Sequence, residues 1–347
     1  MKRIAFCALL VVTSGSIVLG NGTDSLRHPD ERHLRNVRQL TFGGTNAEAY
    51  FSFDATKLIF QSTRPPRSCD QIFTMNIDGS AQSLVSTGKG RTTCAYFYPG
   101  GQKILYASTH AHAPECPPTP DKSKGYVWGV FNDYDIFVAD SDGSHLLPLT
   151  ASSGYDAEAT ISPEGDKIVF TSSRDGDLEL YAMDLDGSNV QRITHSLGYD
   201  GGAFFSWDGK SIVYRGYHPE LPSEVSEYKT LLDQQLVKPG KMEIFTCDAD
   251  GKNQKQLTNN NAANFAPFFF PDNKRVVFSS NMNDPGGRYF DLFVMKTDGS
   301  GLERVTYGGH FNSFAMFSDD GKKIVFVSDR NAKNRYEFNV FLADWVE

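Results

Sequence analysis

A nine-residue pattern recurs six times along the chain: a polar turn followed by a short apolar stretch that ends in an aromatic residue. The copies read SFDATKLIF, YPGGQKILY, SPEGDKIVF, SWDGKSIVY, FPDNKRVVF and SDDGKKIVF. Their final aromatics are Phe60, Tyr106, Phe170, Tyr214, Phe278 and Phe326, at spacings of 46, 64, 44, 64 and 48 residues. Spacings of this size are typical of repeat architectures. The two longer spacings indicate units that carry insertions.

The third copy shows one unit in full. It contains four short strands with β-branched and aromatic residues, EATIS, KIVFTSS, LELYAMD and VQRIT. Three turns separate them: PEGD, RDGD and LDGSN. Asp-Gly turns between such strands are typical of antiparallel hairpins. Four strands in each of six units predict an all-β protein, a six-bladed β-propeller of four-stranded antiparallel blades.

The two ends of the chain complement each other. The last unit has three strands and then ends, whereas a spare fourth-strand sequence, NVRQLT at Asn36–Thr41, precedes the first unit. We therefore expect the N-terminal strand to complete the last blade and leave no open sheet edge. The predicted organisation is a signal peptide at 1–20, a flexible segment at 21–35 and the propeller at 36–347, with insertions at about 109–132 and 218–241.

The repeats resemble a known family. The run SPEGDKIVF, SSRDGDLELYAMDLDGSN and RIT is similar to the PD40 (WD40-like) repeat of TolB-like six-bladed β-propellers, and the resemblance extends from Asn36 to Glu347. It implies the propeller fold. It leaves the activity open, because propellers have many functions.

The first twenty residues, MKRIAFCALLVVTSGSIVLG, combine Lys2 and Arg3 with an uncharged apolar run. This pattern predicts a secretory signal peptide cleaved near Gly20, and hence a periplasmic or extracellular protein without a membrane span. The net charge is −8, and the first twenty residues contribute two of the basic residues. A nucleic-acid partner is not expected at this charge, and we expect a monomer.

Four cysteines follow the predicted signal peptide, an even number in an oxidising compartment. We predict a disulfide between Cys69 and Cys94, which both fall near one rim of the propeller. Cys116, in the first insertion, is the alternative partner. Cys247 is expected to stay free.

Alignment of the six units by their shared turn gives three columns on one face. The first column, at the start of the innermost strands, contains Asn46, Thr92, Asp156, Asp200, Asn264 and Asn312. The second, two residues deeper in the channel, contains Glu48, Cys94, Glu158, Gly202, Ala266 and Phe314. The third, at the end of the second strands, contains Arg64, His110, Arg174, His218, Met282 and Arg330. Both insertions leave from the same face, and the second contains a helical pattern that begins at Ser223.

These columns have two interpretations. Asn and Asp at strand starts often do no more than cap turns. Their convergence with charged residues and two insertions favours a ligand site at a covered channel mouth, since concave sites of this kind bind small molecules. The chain would then be a binding module for a small polar ligand, a glycan or a peptide or protein. The candidate ligand-binding residues are Asn46, Glu48, Arg64, Asp156, Glu158, Arg174, Asp200, Asn312 and Arg330.

The alternative is a metal-dependent lyase or hydrolase at the same mouth. His110, His218 and His310 would hold a divalent metal, because neutral imidazoles suit transition metals, and Glu158 or Asp156 would be the catalytic base. No G-x-S-x-G or H-E-x-x-H motif occurs. The repeated Asp-Gly sequences lack the glutamate at position twelve of a calcium loop and are interpreted as hairpin turns.

Overall fold

Six four-stranded antiparallel sheets make up the fold. The computed structural model describes residues 24–121, 123, 125–284, 287 and 289–347, so the predicted signal peptide lies outside the described residues. The sheets contain 24 strands, and two more strands lie in the insertions. The sequence prediction of a six-bladed propeller is confirmed.

The strands in chain order are β1 (Leu34–Gln39), β2 (Thr45–Phe51), β3 (Lys57–Thr63), β4 (Gln71–Asn76), β5 (Ser83–Leu84), β6 (Thr92–Phe97), β7 (Lys103–Ser108), β8 (Trp128–Gly129), β9 (Asp135–Asp140), β10 (Leu147–Pro148), β11 (Asp156–Ile161), β12 (Lys167–Ser172), β13 (Glu179–Asp184), β14 (Gln191–Arg192), β15 (Tyr199–Phe205), β16 (Ser211–Tyr217), β17 (Leu236–Val237), β18 (Glu243–Asp248), β19 (Lys255–Gln256), β20 (Asn264–Phe269), β21 (Arg275–Ser280), β22 (Asp291–Lys296), β23 (Glu303–Arg304), β24 (Asn312–Phe317), β25 (Lys323–Ser328) and β26 (Asn339–Trp345). Blades one to five begin with β2, β6, β11, β15 and β20, and blade six is the sheet β24-β25-β26-β1.

The aromatic that ends each sequence repeat forms the centre of a blade. All six of these residues are fully buried in the second strand of their blade. Each lies directly opposite an aromatic of the third strand, as Phe60 does opposite Phe73 and Phe326 opposite Phe341. Ring centroids in these two pairs are 5.8 Å apart. Directly opposed aromatics stabilise antiparallel pairs, which explains why the repeat always ends in Phe or Tyr.

The N-terminal strand closes the ring as predicted. β1 pairs with β26, with Leu34 opposite Trp345, and begins two residues before the predicted Asn36. The preceding residues, which we predicted to be flexible, lie against the propeller from residue 24 onwards. Glu31 is fully buried there.

Glu31 ties this N-terminal segment to blade six. Its two carboxylate oxygens accept hydrogen bonds from the Arg330 guanidinium at 2.8 and 3.0 Å. The same carboxylate accepts the backbone N–H groups of His28, Tyr307 and Gly308. A buried carboxylate with this many donors is fully satisfied, so the segment acts as part of the closure.

The disulfide prediction was wrong in its second partner. Cys69 is bonded to Cys116, with their Cα atoms 6.0 Å apart, while Cys94 and Cys247 are free thiols. Cys69 ends the loop before β4 and faces the first insertion. Cys94 lies in the innermost strand β6 and lines the central channel, so it cannot reach the rim.

The two insertions pair with each other. β8 and β17 form a two-stranded antiparallel sheet, with Trp128 opposite Val237. The helix of the second insertion, α1 (Pro222–Leu232), begins with Pro222 rather than after a Ser223 cap. Proline is favoured in the first turn because its missing N–H has no partner there anyway. No helix among the described residues has the length and apolar character needed to cross a membrane.

Replacement of Glu31 by Gln should destabilise the propeller by about 3 kcal/mol, because it removes one partner of a buried ion pair. Glu347→Gln is the matched control, since Glu347 also binds an arginine, Arg275, through two hydrogen bonds but is exposed. A pair of that kind contributes about 1 kcal/mol or less. Urea unfolding measures both changes. Equal effects would contradict the structural role of Glu31.

Candidate functional site

The first column of polar residues joins neighbouring blades. All six members are fully buried. In each blade, the backbone N–H of this residue donates to the carbonyl of the residue just before the third strand of the preceding blade, at 2.8–3.0 Å. The side chains of Asn46 and Asn264 donate to that same carbonyl at 2.7 and 2.8 Å. The residues of the first column therefore serve as contacts between blades.

Asp156 and Asp200 have no side-chain N–H to donate, and each pairs with a basic residue instead. Arg174 Nη2 lies 3.0 and 3.1 Å from the two Asp156 oxygens. His218 Nε2 lies 2.9 Å from Asp200 Oδ1. Burial raises the pKa of Asp200. Burial lowers the pKa of His218, but the bond to Asp200 outweighs it and the net pKa of His218 is raised.

Half of the third column serves as partners for the first. Arg330 Nη2 donates to Asn312 Oδ1 at 3.1 Å, as Arg174 does to Asp156 and as His218 contacts Asp200. The others have different neighbours. His110 Nδ1 is 2.8 Å from Ser108 Oγ, and the Arg64 guanidinium lies over the Phe73 ring at 3.9 Å and donates to Gln82 Oε1 at 3.0 Å.

The three candidate metal-binding histidines have separate surroundings. His110 contacts Ser108, His218 contacts Asp200, and His310 lies 3.5 Å from an Asp329 carboxylate oxygen. Within the described ranges, no three His, Cys, Asp or Glu side chains are grouped so that they could hold a metal ion.

The second column faces the channel because every inner strand contains a bulge. All six members have positive φ, from 50° at Cys94 to 60° at Gly202. The strand register shifts at each of them, between Ala157 and Thr160 in blade three for example. A bulge turns one side chain out of the regular alternation. Six bulges at one level form a ring of side chains around the channel.

Glu158 and Arg215 form the centre of this ring. Arg215 Nη2 contacts Glu158 Oε1 and lies 2.7 Å from the Tyr199 hydroxyl. Tyr199 in turn donates to Glu158 Oε2 at 2.8 Å, and the backbone N–H of Gly202 donates to the same oxygen at 2.9 Å. A side chain at Gly202 would collide with the Arg215 guanidinium. Glycine is needed there for this close approach as well as for its positive φ.

Glu48 is the second carboxylate of the ring and has no arginine of its own. Burial raises its pKa to about 7, although a hydrogen bond with Cys94 acts in the opposite direction. Glu48 Oε2 is buried without a hydrogen-bond partner among the described residues. The cavity that Glu48, Cys94, Glu158 and Arg215 share has about 20 Å³, enough for one or two waters.

Aromatic side chains fill the channel on both sides of this ring. Below it, the rings of Tyr50, Phe204 and Phe268 pack with centroids 5.1–5.3 Å apart. Above it, Trp128 from the first insertion lies 5.2 Å from the Arg215 guanidinium and packs against Phe265. The mouth predicted from the sequence is therefore closed by the insertion.

A cavity larger than that of the channel lies beside the mouth, under the insertions. This lid pocket is enclosed by Tyr126 of the first insertion, by α1 and the turn after β17, and by blade four. Its lining residues are Tyr126, Tyr199, Tyr217, Glu224, Glu227, Tyr228, Leu231, Val237, Lys238, Gly240, Lys241 and Met242. Its volume is about 380 Å³. Ion pairs from Glu224 to Lys241 (2.9 Å) and from Glu227 to Lys238 (2.6 Å) hold the helix on the turn.

Sequence reasoning missed Arg215 and most of the lid pocket. Arg215 stands in the apolar strand SIVYRGY, and a charge in the middle of a buried strand was an available signal. The pairing of the two insertions had no comparable signal, because a two-residue strand such as β8 has no detectable periodicity.

These features define a class of protein: a six-bladed β-propeller whose channel is filled by side chains and whose mouth is covered by two paired insertions. The PD40 family model, described as the TolB beta propeller domain, matches residues 119–229 and 228–344. The chain belongs to this family. No curated protein sequence matches it significantly.

Solved structures share the fold at low sequence identity. A protein assigned as TolB from Agrobacterium tumefaciens is 18% identical with a TM-score of 0.59, and the match covers 88% of this chain and 91% of that one. TolB from Acinetobacter baumannii is 18% identical with a TM-score of 0.57, covering 88% and 64%. An oligogalacturonate lyase in complex with manganese is 12% identical with a TM-score of 0.52, covering 90% and 93%.

Asp156→Asn should lower the free energy of unfolding by only about 1 kcal/mol, because an Asn in this position can accept from Arg174 as Asn312 accepts from Arg330. Asp156→Ala should cost about 2–3 kcal/mol, since it leaves the partly buried Arg174 without its partner. Urea unfolding of both variants is the measurement. Equal losses of unfolding free energy in the two variants would show that the charge of Asp156, rather than its hydrogen bonding, stabilises the protein.

Glu48→Gln should stabilise the protein at pH 8 but have little effect at pH 5. The folded-state pKa of Glu48 is raised from 4.5 to about 7, so the native state binds this proton more tightly than the unfolded chain does. Stability then falls as pH rises from 4.5 to 7, by on the order of 2–3 kcal/mol for this group. Unfolding at several pH values, with Glu347→Gln as an exposed control, tests this. A pH-independent effect of the Glu48 variant would refute it.

Proposed function

We propose that the protein is an exported binding module and that the lid pocket, rather than the channel, holds its ligand. The observation that carries this proposal is the cavity of about 380 Å³ enclosed by both insertions. Sites for small ligands commonly have volumes of about 300–1,000 Å³, apolar walls and a few polar groups. The Cys69–Cys116 disulfide supports export, since disulfides persist in oxidising compartments.

The walls of the lid pocket suit an oligosaccharide segment. Tyr126 is largely exposed and Tyr217 is partly exposed, so their rings are available to a ligand. The apolar face of a sugar can pack on such rings, and a tyrosine hydroxyl can donate a hydrogen bond, as the Tyr126 hydroxyl can while it accepts from Trp128 Nε1. The carboxylates of Glu224 and Glu227 and the ammonium groups of Lys238 and Lys241 line the same cavity and supply acceptors and donors for hydroxyl groups.

Neighbouring residues hold the walls of the lid pocket in place, and one of them, Glu158, is a ligand-binding residue expected from the sequence. Tyr228 Oη lies 2.5 Å from Asp177 Oδ1 and 2.6 Å from the Gly198 carbonyl oxygen, which fixes α1 over the start of β15. Tyr199 lines the pocket and is held from behind by Glu158 and Arg215. The polar residues of the channel thus make the floor of the pocket rigid, and a preformed site loses less entropy on binding.

The catalytic alternative, a metal-dependent lyase or hydrolase, would use Asp156 or Glu158 as its base. Both carboxylates are already paired with arginines, Arg174 and Arg215. Their oxygens already accept hydrogen bonds from neighbouring side chains, so they are not free to take a proton from a substrate. This arrangement favours the binding module over the enzyme.

Tyr217→Ala should weaken oligosaccharide binding by about tenfold, which corresponds to about 1.4 kcal/mol. The measurement is calorimetric titration with neutral and acidic oligosaccharides and, in parallel, short peptides. Tyr336→Ala is the matched control, because Tyr336 is an exposed tyrosine in the loop before β26, outside the lid pocket. If only the peptides bind, the ligand of the lid pocket is a peptide rather than an oligosaccharide. Equal affinities in both variants would exclude the lid pocket as the site.

A further inference from the structure

Three basic residues lie on neighbouring loops at the rim of blade one, away from the lid pocket. Arg64 and Arg67 lie in the loop between β3 and β4, and Lys89 lies in the glycine-rich loop STGKGR between β5 and β6. We call these three residues the blade-one basic cluster. The chain as a whole is acidic, with a net charge of −8, so a local excess of positive charge requires an explanation.

The two guanidinium groups share one aromatic ring. Arg64 Cζ is 3.9 Å and Arg67 Cζ is 5.9 Å from the centroid of Phe73, so the two carbons are less than about 10 Å apart. The backbone of Gly88 approaches Arg67, since a Cβ built on Gly88 would lie 4.0 Å from Arg67 Nε. Burial and the neighbouring Arg67 lower the pKa of Arg64. Like charges are therefore held close together.

No carboxylate neutralises the cluster. Among the described residues, none of the three forms an ion pair within 4.0 Å, and Arg64 Nε and Nη2 are buried without a hydrogen-bond partner. Asp70, on the same loop, accepts from Thr63 at 2.5 Å and interacts with Arg91 instead. Glu115 is exposed on the first insertion and makes no ion pair with the cluster. No ion pair among the described residues therefore offsets the positive charge of the cluster.

The loops that carry the cluster are held in place. The Cys69–Cys116 disulfide joins the Arg64–Arg67 loop to the first insertion. The backbone N–H of Gly90 donates to the Pro114 carbonyl at 2.8 Å, which joins the Lys89 loop to the same insertion. The donors are thus preorganised, and a preorganised site binds a given ligand more tightly.

We propose that the blade-one basic cluster binds an oxyanion, with the guanidinium groups of Arg64 and Arg67 as its main donors and Lys89 as a third charge. Guanidinium groups bind phosphate, sulfate and carboxylate through paired hydrogen bonds. Two sources supply this chemistry: a free inorganic oxyanion and the carboxylates of an acidic saccharide. This site is separate from the lid pocket.

The test is calorimetric titration of the full-length exported protein at low salt with inorganic phosphate, inorganic sulfate, trigalacturonate and a neutral trisaccharide. We expect at least one of the anions to bind. Arg64→Gln/Arg67→Gln should weaken that binding at least about tenfold, and added NaCl should weaken it in the native protein. Lys57→Gln/Lys103→Gln is the matched control, because these exposed lysines begin β3 and β7 on the opposite face of blades one and two.

Each outcome has one meaning. Phosphate or sulfate binding without trigalacturonate binding identifies an inorganic ligand, and the reverse identifies an acidic saccharide. No anion binding by the native protein, or equal losses in the two double variants, overturns the proposal. Since Arg64 packs on Phe73, the melting temperature is measured for each variant, and Arg67→Gln alone, which leaves that packing intact, must also weaken binding. Tyr217→Ala should leave the binding of phosphate and sulfate unchanged, and Arg64→Gln/Arg67→Gln should leave the binding of the neutral trisaccharide unchanged, which separates this site from the lid pocket.

Discussion

One backbone hydrogen bond, repeated six times, sets the geometry of the molecule. It runs from the N–H that starts each innermost strand to the carbonyl that precedes the third strand of the blade before it, and it includes the closing contact from Asn46 to Phe338. Because every blade makes the same bond, neighbouring blades are joined at the same point of each innermost strand. The side chain beside that N–H is buried against the same carbonyl. Asn and Thr are suited to this first position of the innermost strand, whereas Asp is suited to it only when a basic side chain lies beside it.

The bulge two residues further along each innermost strand is equally regular. All six bulged residues have φ between 50° and 60°, so six side chains enter the channel at one level. Their chemistry differs from blade to blade. Blades one and three contribute carboxylates, blade four contributes the glycine that admits Arg215, and blades five and six contribute Ala266 and Phe314. A symmetric backbone thus carries an asymmetric channel, with its charge on one side and its apolar surface on the other.

Features that repeat in every blade could be predicted from the sequence, whereas features that occur only once were missed. Six copies of one pattern were enough to predict the blades, the closing strand and the three columns of residues. Alignment of the copies shows where a residue lies along its strand, but not what faces it across the gap between blades. Asp156 and Asn312 were therefore placed correctly but expected to face a ligand. Trp128 and α1 lie in insertions without a second copy for comparison, so their contacts could not be predicted, and Cys116 was named only as the alternative partner of Cys69.

A repeated residue does not have the same partner in every blade. The third column shows this most clearly. Arg174 turns inward to Asp156, and Arg330 turns inward to Asn312 because Glu31 also holds it. Arg64 faces Asn46 without any carboxylate of this kind. It packs on Phe73 instead, and no carboxylate among the described residues forms an ion pair with it.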